Sequence, residues 1–292
     1  MDLCDIRTVR NIMAAFGLRP RKELGQNFLT DHSVVSAIAD ECCPGRSDTV
    51  LEIGPGLGVL TAELAERYPS VIALELDEKL IPVLKYTLLD HKNVRVINAD
   101  VMKTDLSELL KESFKSGGVS VCANLPYYIT SPILTMLLES ELPFDCITVM
   151  VQKEVAERLC AAPGSRESGA ITLAVAYRGS AELLFTVPAD RFLPAPKVDS
   201  AVVRIRLYRE PPVRPKDETL MFSVIRAAFC QRRKTLANAL FSGFPEIGKE
   251  RLSELIVSLG LPPDVRGERL ELSHFAELSD LILSEKTKQA KK

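Results

Sequence analysis

The chain has 292 residues, 46% hydrophobic and 26% charged, with 18 prolines and 15 glycines. This composition excludes collagen-like, disordered and disulfide-stapled classes and suits one large α/β domain with a smaller companion. Basic and acidic side chains number 37 and 39 for a net charge of −2, so no global excess marks a nucleic-acid binder, yet Ala201 to Leu240 holds nine basic residues against three acidic ones. The seven cysteines include no CxxC pair and the three histidines are scattered, so no metal site is expected, and the compartment is expected to be reducing. The first residues lack the basic start and apolar stretch of a signal peptide, which points to the cytoplasm. The uncharged window Gly117 to Leu138 is interrupted by Asn124, Pro126 and Pro132, so no membrane span is expected.

From Asp48 to Ala123 short β-branched runs alternate with helical stretches, the pattern of βαβ units around a parallel sheet. Strands are predicted at Thr49–Ile53, Val71–Leu74, Val94–Ile97 and Val119–Ala123, with helices beginning near Leu57, Glu78 and Asp105. A strand at Ile147–Val151 and a helix at Lys153–Cys160 follow. Ile171–Tyr177 reads as another strand. In Ala201–Leu207, Val203, Ile205 and Leu207 alternate with Val202, Arg204 and Arg206, as in a half-exposed strand near a sheet edge. The breaker cluster Pro211-Pro212-Val213-Arg214-Pro215 sets a domain boundary, giving an α/β domain over residues 1–210 and a small helical domain over 211–292. Helices are predicted there at Glu218–Phe229, Lys234–Phe241, Lys249–Leu259 and Ser273–Leu283, with Glu285–Lys292 as a frayed basic tail.

Gly54-Pro55-Gly56-Leu57-Gly58 joins the first strand to its helix, the first turn of a Rossmann-like fold. A dinucleotide fingerprint needs its third glycine where Val59 stands, and Gly58 comes one residue early. The spacing suits close backbone approach to a ligand without a pyrophosphate, as in S-adenosylmethionine enzymes; the plain alternative is a tight turn with no ligand. Glu75 lies 21 residues beyond Gly54, where a carboxylate can accept both hydroxyls of a ribose. Asp77 competes for that role, but its place before Glu78 is explained by helix capping. After the third strand, Asp100 is placed to accept a hydrogen bond from an adenine amine.

Asn124-Leu125-Pro126-Tyr127 follows the fourth strand, at the carboxyl edge where open α/β sheets bind ligands. Methylating an exocyclic amine explains these residue types. The amine's lone pair is delocalised into the ring, and two acceptors, the Asn124 side-chain oxygen and the Leu125 carbonyl on a chain stiffened by Pro126, can hold its protons and favour a tetrahedral nitrogen. Tyr127 offers a ring face to a base.

With these motifs the chain resembles the ribosomal RNA adenine N6,N6-dimethyltransferase family, and within it the bacterial branch acting on the small subunit. The resemblance also runs through Leu24-Gly25-Gln26-Asn27-Phe28-Leu29, Gln152-Lys153-Glu154-Val155, Phe192-Leu193-Pro194-Ala195-Pro196-Lys197-Val198-Asp199-Ser200 and Phe229-Cys230-Gln231-Arg232-Arg233-Lys234-Thr235-Leu236. It implies a class I methyltransferase sheet and S-adenosylmethionine as cofactor. It further implies that Gln26, Asn27 and Leu29 close over the methionine end, and that Gly54, Gly56, Glu75, Asp100, Val101 and Asn124 make the remaining cofactor contacts. Phe192 matches the aromatic that faces Tyr127 across a flipped adenine. The implied substrate is a pair of adjacent adenosines in the hairpin loop near the 3′ end of 16S rRNA in the pre-30S subunit, each receiving two methyl groups from a monomeric enzyme. Two departures stand out: Tyr128 follows the tetrad where some relatives have Asn, and Met1–Lys22 is longer than in the shortest relatives. Arg232, Arg233 and Lys234 fit phosphate contacts or form a solvated face; Arg19, Arg21 and Lys22 read the same way. Ala161–Ser168 reads as a lip beside the RNA or a long turn. The alternatives are a 23S rRNA adenine methyltransferase of the macrolide-resistance type and a non-catalytic ribosome assembly factor.

Overall fold

The strand Thr49–Ile53 (β1) is buried at every residue, as a strand with parallel neighbours on both sides and covered faces must be. The computed structural model describes residues 1–21, 24–43 and 45–290; Lys22 and the last two lysines, read above as basic segments, lie outside them. Ser70–Glu75 (β2), Val94–Asn98 (β3), Val119–Asn124 (β4), Phe144–Gln152 (β5), Gly179–Val187 (β6) and Ser200–Leu207 (β7) complete a seven-stranded sheet. Its order is β3-β2-β1-β4-β5-β7-β6. The five strands from β3 to β5 run parallel, and β7 is antiparallel to β5. The register aligns the functional carboxyl ends. Ile53 pairs with Leu74, Glu75 with Asn98 and Asn124 with Met150, and the pairing of Glu52 with Cys122 puts Gly54 level with Asn124.

One face of the sheet packs Val50, Val71 and Met150 against Val35 and Ile38 of the helix His32–Glu41 and Leu64 of the helix Val59–Ala65. A second cluster joins Val9 and Ile12 of the helix Ile6–Ala15 to Leu57, Val83 and Leu84. At Gly58 the backbone is left-handed, with φ +91°, and a Cβ would stand 3.1–3.2 Å from Thr87, Leu84 and Leu88. Only glycine starts that helix without displacing the neighbouring one.

The chain divides into two compact units, the first comprising Met1–Ala156 and Ala181–Leu207, the second Glu157–Ser180 and Tyr208 onward. One break falls after Leu207, shortly before the proline cluster Pro211–Pro215, and the second unit also takes an excursion, Glu157–Ser180, from the region expected to be wholly α/β. Within it Ala170–Arg178 is an α-helix, not the strand expected at Ile171–Tyr177. Thr172 fixes its first turn, accepting the Gly169 N–H and donating to the Arg158 carbonyl. Tyr177 then meets Phe222 edge-on at 5.4 Å, and Arg178 pairs with Glu218. The strand that follows, β6, takes the sheet edge. It flanks β7, whose place next to the edge is as expected but whose Ala201, Val202, Val203 and Ile205 are all buried and whose Arg204 pairs with Glu41 and Glu182; with Arg206 its one exposed residue, β7 is more enclosed than the half-exposed reading.

The rest of the second unit consists of the helices Glu218–Cys230, Leu236–Gly243, Lys249–Ser258 and Leu272–Ala290. The last runs seven residues beyond its predicted end at Leu283. Glu285, expected in a frayed tail, bonds Arg251 and Lys288 at 2.8 and 2.9 Å and holds the final turns. Among the described residues no helix is long and apolar enough to cross a membrane.

Candidate active site

The carboxyl ends of β1 to β4 open on a single cavity bordered by Gly54, Glu75, Asp100, Asn124, Tyr127 and Phe192. At Gly54 the backbone is left-handed, with φ +73°, and a Cβ would meet nothing within 4 Å. The glycine is required by conformation rather than by crowding. Glu75 is fixed by two backbone donors, the Gly56 N–H at 3.2 Å and the Asp77 N–H at 2.8 Å, and burial raises its pKa. Asp77 caps the following turn through the Lys79 N–H, as expected, and also accepts from the side chains of Gln26 at 3.0 Å and Arg21 at 3.4 Å. Asp100 caps the next turn through the Met102 N–H, with Val101 buried behind it on the cavity wall.

In the tetrad the Leu125 N–H donates to the Met150 carbonyl, and the Pro126 carbonyl accepts from the Ile129 N–H and the Thr130 hydroxyl, each at 3.1 Å. These bonds set the turn. Among the described residues, neither the Asn124 side-chain oxygen nor the Leu125 carbonyl receives a hydrogen bond, so both acceptors are unspent in two residues that border the cavity. The Tyr127 hydroxyl is 2.7 Å from the Ser200 hydroxyl, which anchors the ring from its far end. Phe192 borders the same cavity and is nearly enclosed.

The N-terminal motif forms a strap tied at four places. Gln26 bridges the Arg21 N–H and Asp77, so its side chain is engaged within the protein. Gly25, with φ +59°, packs on Pro126. The Phe28 ring lies against Gly56, and Phe28 and Leu29 pair antiparallel with Leu193 and Phe192. The Asn27 side chain donates to the Gly25 carbonyl at 3.2 Å and stabilises the bend. The sequence motif therefore links the glycine turn, the β2 terminus, the tetrad and the Phe192 segment.

Sequence reasoning missed Glu52. It is wholly buried on β1, borders the cavity, and carries an oxygen without a hydrogen-bond partner. Burial, with Glu75 nearby, pushes its pKa up to about 8. A lone carboxylate within the apolar run Val50-Leu51-Glu52-Ile53 was the available signal.

In the helical unit Arg232 donates to the carbonyls of Arg166 and Ser168 at 3.3 and 3.2 Å and approaches Glu268 at 3.6 Å. Its guanidinium ties down the 161–168 loop. Arg233 and Lys234 are exposed beside it. No cluster of metal-ligating side chains occurs among the described residues.

A sheet of this order, with a glycine turn after β1 and an acid at the end of β2, is a Rossmann-like class I methyltransferase domain. The profile described as "Ribosomal RNA adenine dimethylase" matches residues 17–260, and the chain belongs to that family. It is 44% identical over 289 residues to "Ribosomal RNA small subunit methyltransferase A" of Bacillus mycoides (strain KBAB4), covering 98% of this chain and 99% of the relative. The protein of that name from Bacillus anthracis (strain A0248) matches equally. Among solved structures, a dimethyladenosine transferase from Plasmodium falciparum superimposes with a TM-score of 0.70 at 25% identity, covering 89% of this chain and 98% of that one. The 23S rRNA methyltransferase ErmE gives 0.63 at 26%, covering 87% and 98%.

Proposed function

We infer that the protein dimethylates the N6 amines of two adjacent adenosines in the 3′-terminal hairpin loop of 16S rRNA, using S-adenosylmethionine. The observation that carries the chemistry is the pair of unspent acceptors, the Asn124 oxygen and the Leu125 carbonyl, beside the Tyr127 ring. The lining of the cavity supports this cofactor: Glu75 would accept the ribose hydroxyls, Asp100 and Val101 would meet the adenine, and the buried, unpartnered Glu52 oxygen would add an acceptor on the wall. The cofactor would supply a methyl group on a sulfonium, the C–S bond breaking to release a neutral thioether as the N–C bond forms, with the surplus amine proton passing to solvent after attack. Asn124 and Leu125 hold the amine protons and direct its lone pair; Tyr127 and Phe192 sandwich the base; the strap shields the reacting atoms from water. Full-length identity to small-subunit methyltransferases exceeds the likeness to the 23S enzyme, which supports the small-subunit reading over the large-subunit one. The setting proposed is the pre-30S particle in the cytoplasm, with the enzyme acting as a monomer.

The test is to incubate the protein with labelled S-adenosylmethionine and unmethylated 30S particles and to map the label by mass spectrometry. Dimethyladenosine at two adjacent positions near the 3′ end of 16S rRNA is expected. Binding without transfer would favour the assembly-factor reading, and transfer to 23S rRNA instead would favour the large-subunit one.

Arg233 and Lys234 are proposed as phosphate contacts, with Arg232 presenting the turn that carries them. Arg233→Ala is expected to weaken binding to 30S particles and to reduce the salt dependence of log K by about one charge equivalent. Arg232→Ala is expected instead to expose the 161–168 loop to trypsin at Arg166. Binding titrations at several salt concentrations, with limited proteolysis alongside, separate the two roles.

A further inference from the structure

Tyr128 is the most exposed tyrosine or phenylalanine among the described residues, at 55% of its full accessibility. It directly follows Tyr127 and borders the same cavity, so it stands at the rim rather than inside. Its position is fixed from beneath. Pro126 stiffens the chain, the two bonds to the Pro126 carbonyl close the turn, and the edge of the ring packs on Gly25, its Cδ1 3.4 Å from where a Cβ on that glycine would stand. Among the described residues its hydroxyl has no hydrogen-bond partner, so what the side chain offers is a ring face.

We propose that Tyr128 is a stacking platform for the base next to the target adenine, the waiting member of the adenosine pair. The inference rests on the function proposed above. Drawing one adenine out of its stack strips its neighbour of a stacking partner, and that loss weakens binding unless another flat surface replaces it. Tyr127 cannot serve both bases, since its hydroxyl is tied to Ser200 and its ring is partly buried beside Asn124. Tyr128 lies one residue further along the chain, facing solvent where the neighbouring nucleotide must pass. A purine covers such a ring better than a pyrimidine, so the platform favours substrates with two adjacent adenosines.

The test uses steady-state methylation of unmethylated 30S particles, with S-adenosylmethionine affinity measured separately. Wild-type transfer is established first; without it the functional reading fails, and this proposal with it. Given transfer, Tyr128→Ala is expected to raise KM for the particle about ten-fold, with cofactor affinity unchanged, while Tyr128→Phe stays near wild type. In particles reconstituted with uridine at the neighbouring position, the wild-type KM is expected to rise and the Tyr128→Ala KM to stay as it was. Three results would overturn the proposal: an equal uridine penalty in both proteins, a loss in Tyr128→Phe as large as in Tyr128→Ala, or a Tyr128→Ala defect confined to cofactor affinity. The last would make the ring a prop for the strap at Gly25.

Discussion

Asn124→Ala is expected to lower kcat for adenosine methylation by about 100- to 1000-fold, the usual cost of removing one preorganised hydrogen-bonding group from a transition state. The melting temperature is expected to stay near that of the unaltered protein. Both halves follow from the same observation. The Asn124 amide makes no hydrogen bond within the protein among the described residues, so its removal orphans no partner and leaves no large cavity. Its oxygen is available to an amine whose protons become more acidic as nitrogen attacks the methyl group, so the bond strengthens in the transition state and the defect falls mainly on kcat. Asn124→Asp keeps an acceptor at the same distance along the chain and is expected to retain more activity than Asn124→Ala. Single-turnover rates with saturating particles, beside thermal unfolding, check this directly. Equal losses in kcat and in stability would place Asn124 in the scaffold instead.

The residues that border the cavity were legible because they sit at chain positions with strong local signatures. β1 to β4 are short β-branched runs, and each ends in a glycine, acid or amide at the carboxyl edge of the sheet. Four features were not legible. Ile171, Leu173, Val175 and Tyr177 alternate with smaller residues at the period of a strand, yet the segment is a helix buried on most of its surface, where packing erases the amphipathic period. The true edge strand, Gly179–Val187, alternates poorly because much of it is exposed. The strap was recognisable as a motif, but its pairing of residues 28–29 with 192–193 spans more than 160 positions and leaves no local trace. The Arg232 contacts to the 161–168 loop are likewise tertiary: a run of three basic residues looks uniform in sequence, although only two of them stand free of the contacts that hold Arg232.

Glu52 predicts a pH dependence of stability that its neutral isostere removes. Burial raises its folded-state pKa from 4.5 to about 8. Between those values the native state holds a proton that the unfolded chain has released, so stability falls as pH rises. The contribution is fully present below about 4.5 and is lost progressively as pH climbs through about 8. At roughly 1.4 kcal/mol per pH unit, the protein gives up on the order of 3 kcal/mol through this group by neutral pH. Glu52→Gln keeps the shape without the ionisation, and its urea midpoint is expected to match the unaltered protein near pH 4.5 and to exceed it increasingly towards pH 8. Glu75, also raised by burial, slopes the same way in both proteins, so the difference between the two curves isolates Glu52. Parallel curves would mean that Glu52 titrates normally and finds solvent. The same group ties stability to the proposed reaction. A cationic ligand in the cavity favours the carboxylate that the empty fold disfavours, so binding near pH 7 is expected to release a proton from Glu52. Calorimetric titration in buffers of different ionisation enthalpy detects that release, and Glu52→Gln abolishes its share. The carboxyl thus costs the protein stability at the pH where its ionised form would favour the proposed cationic ligand.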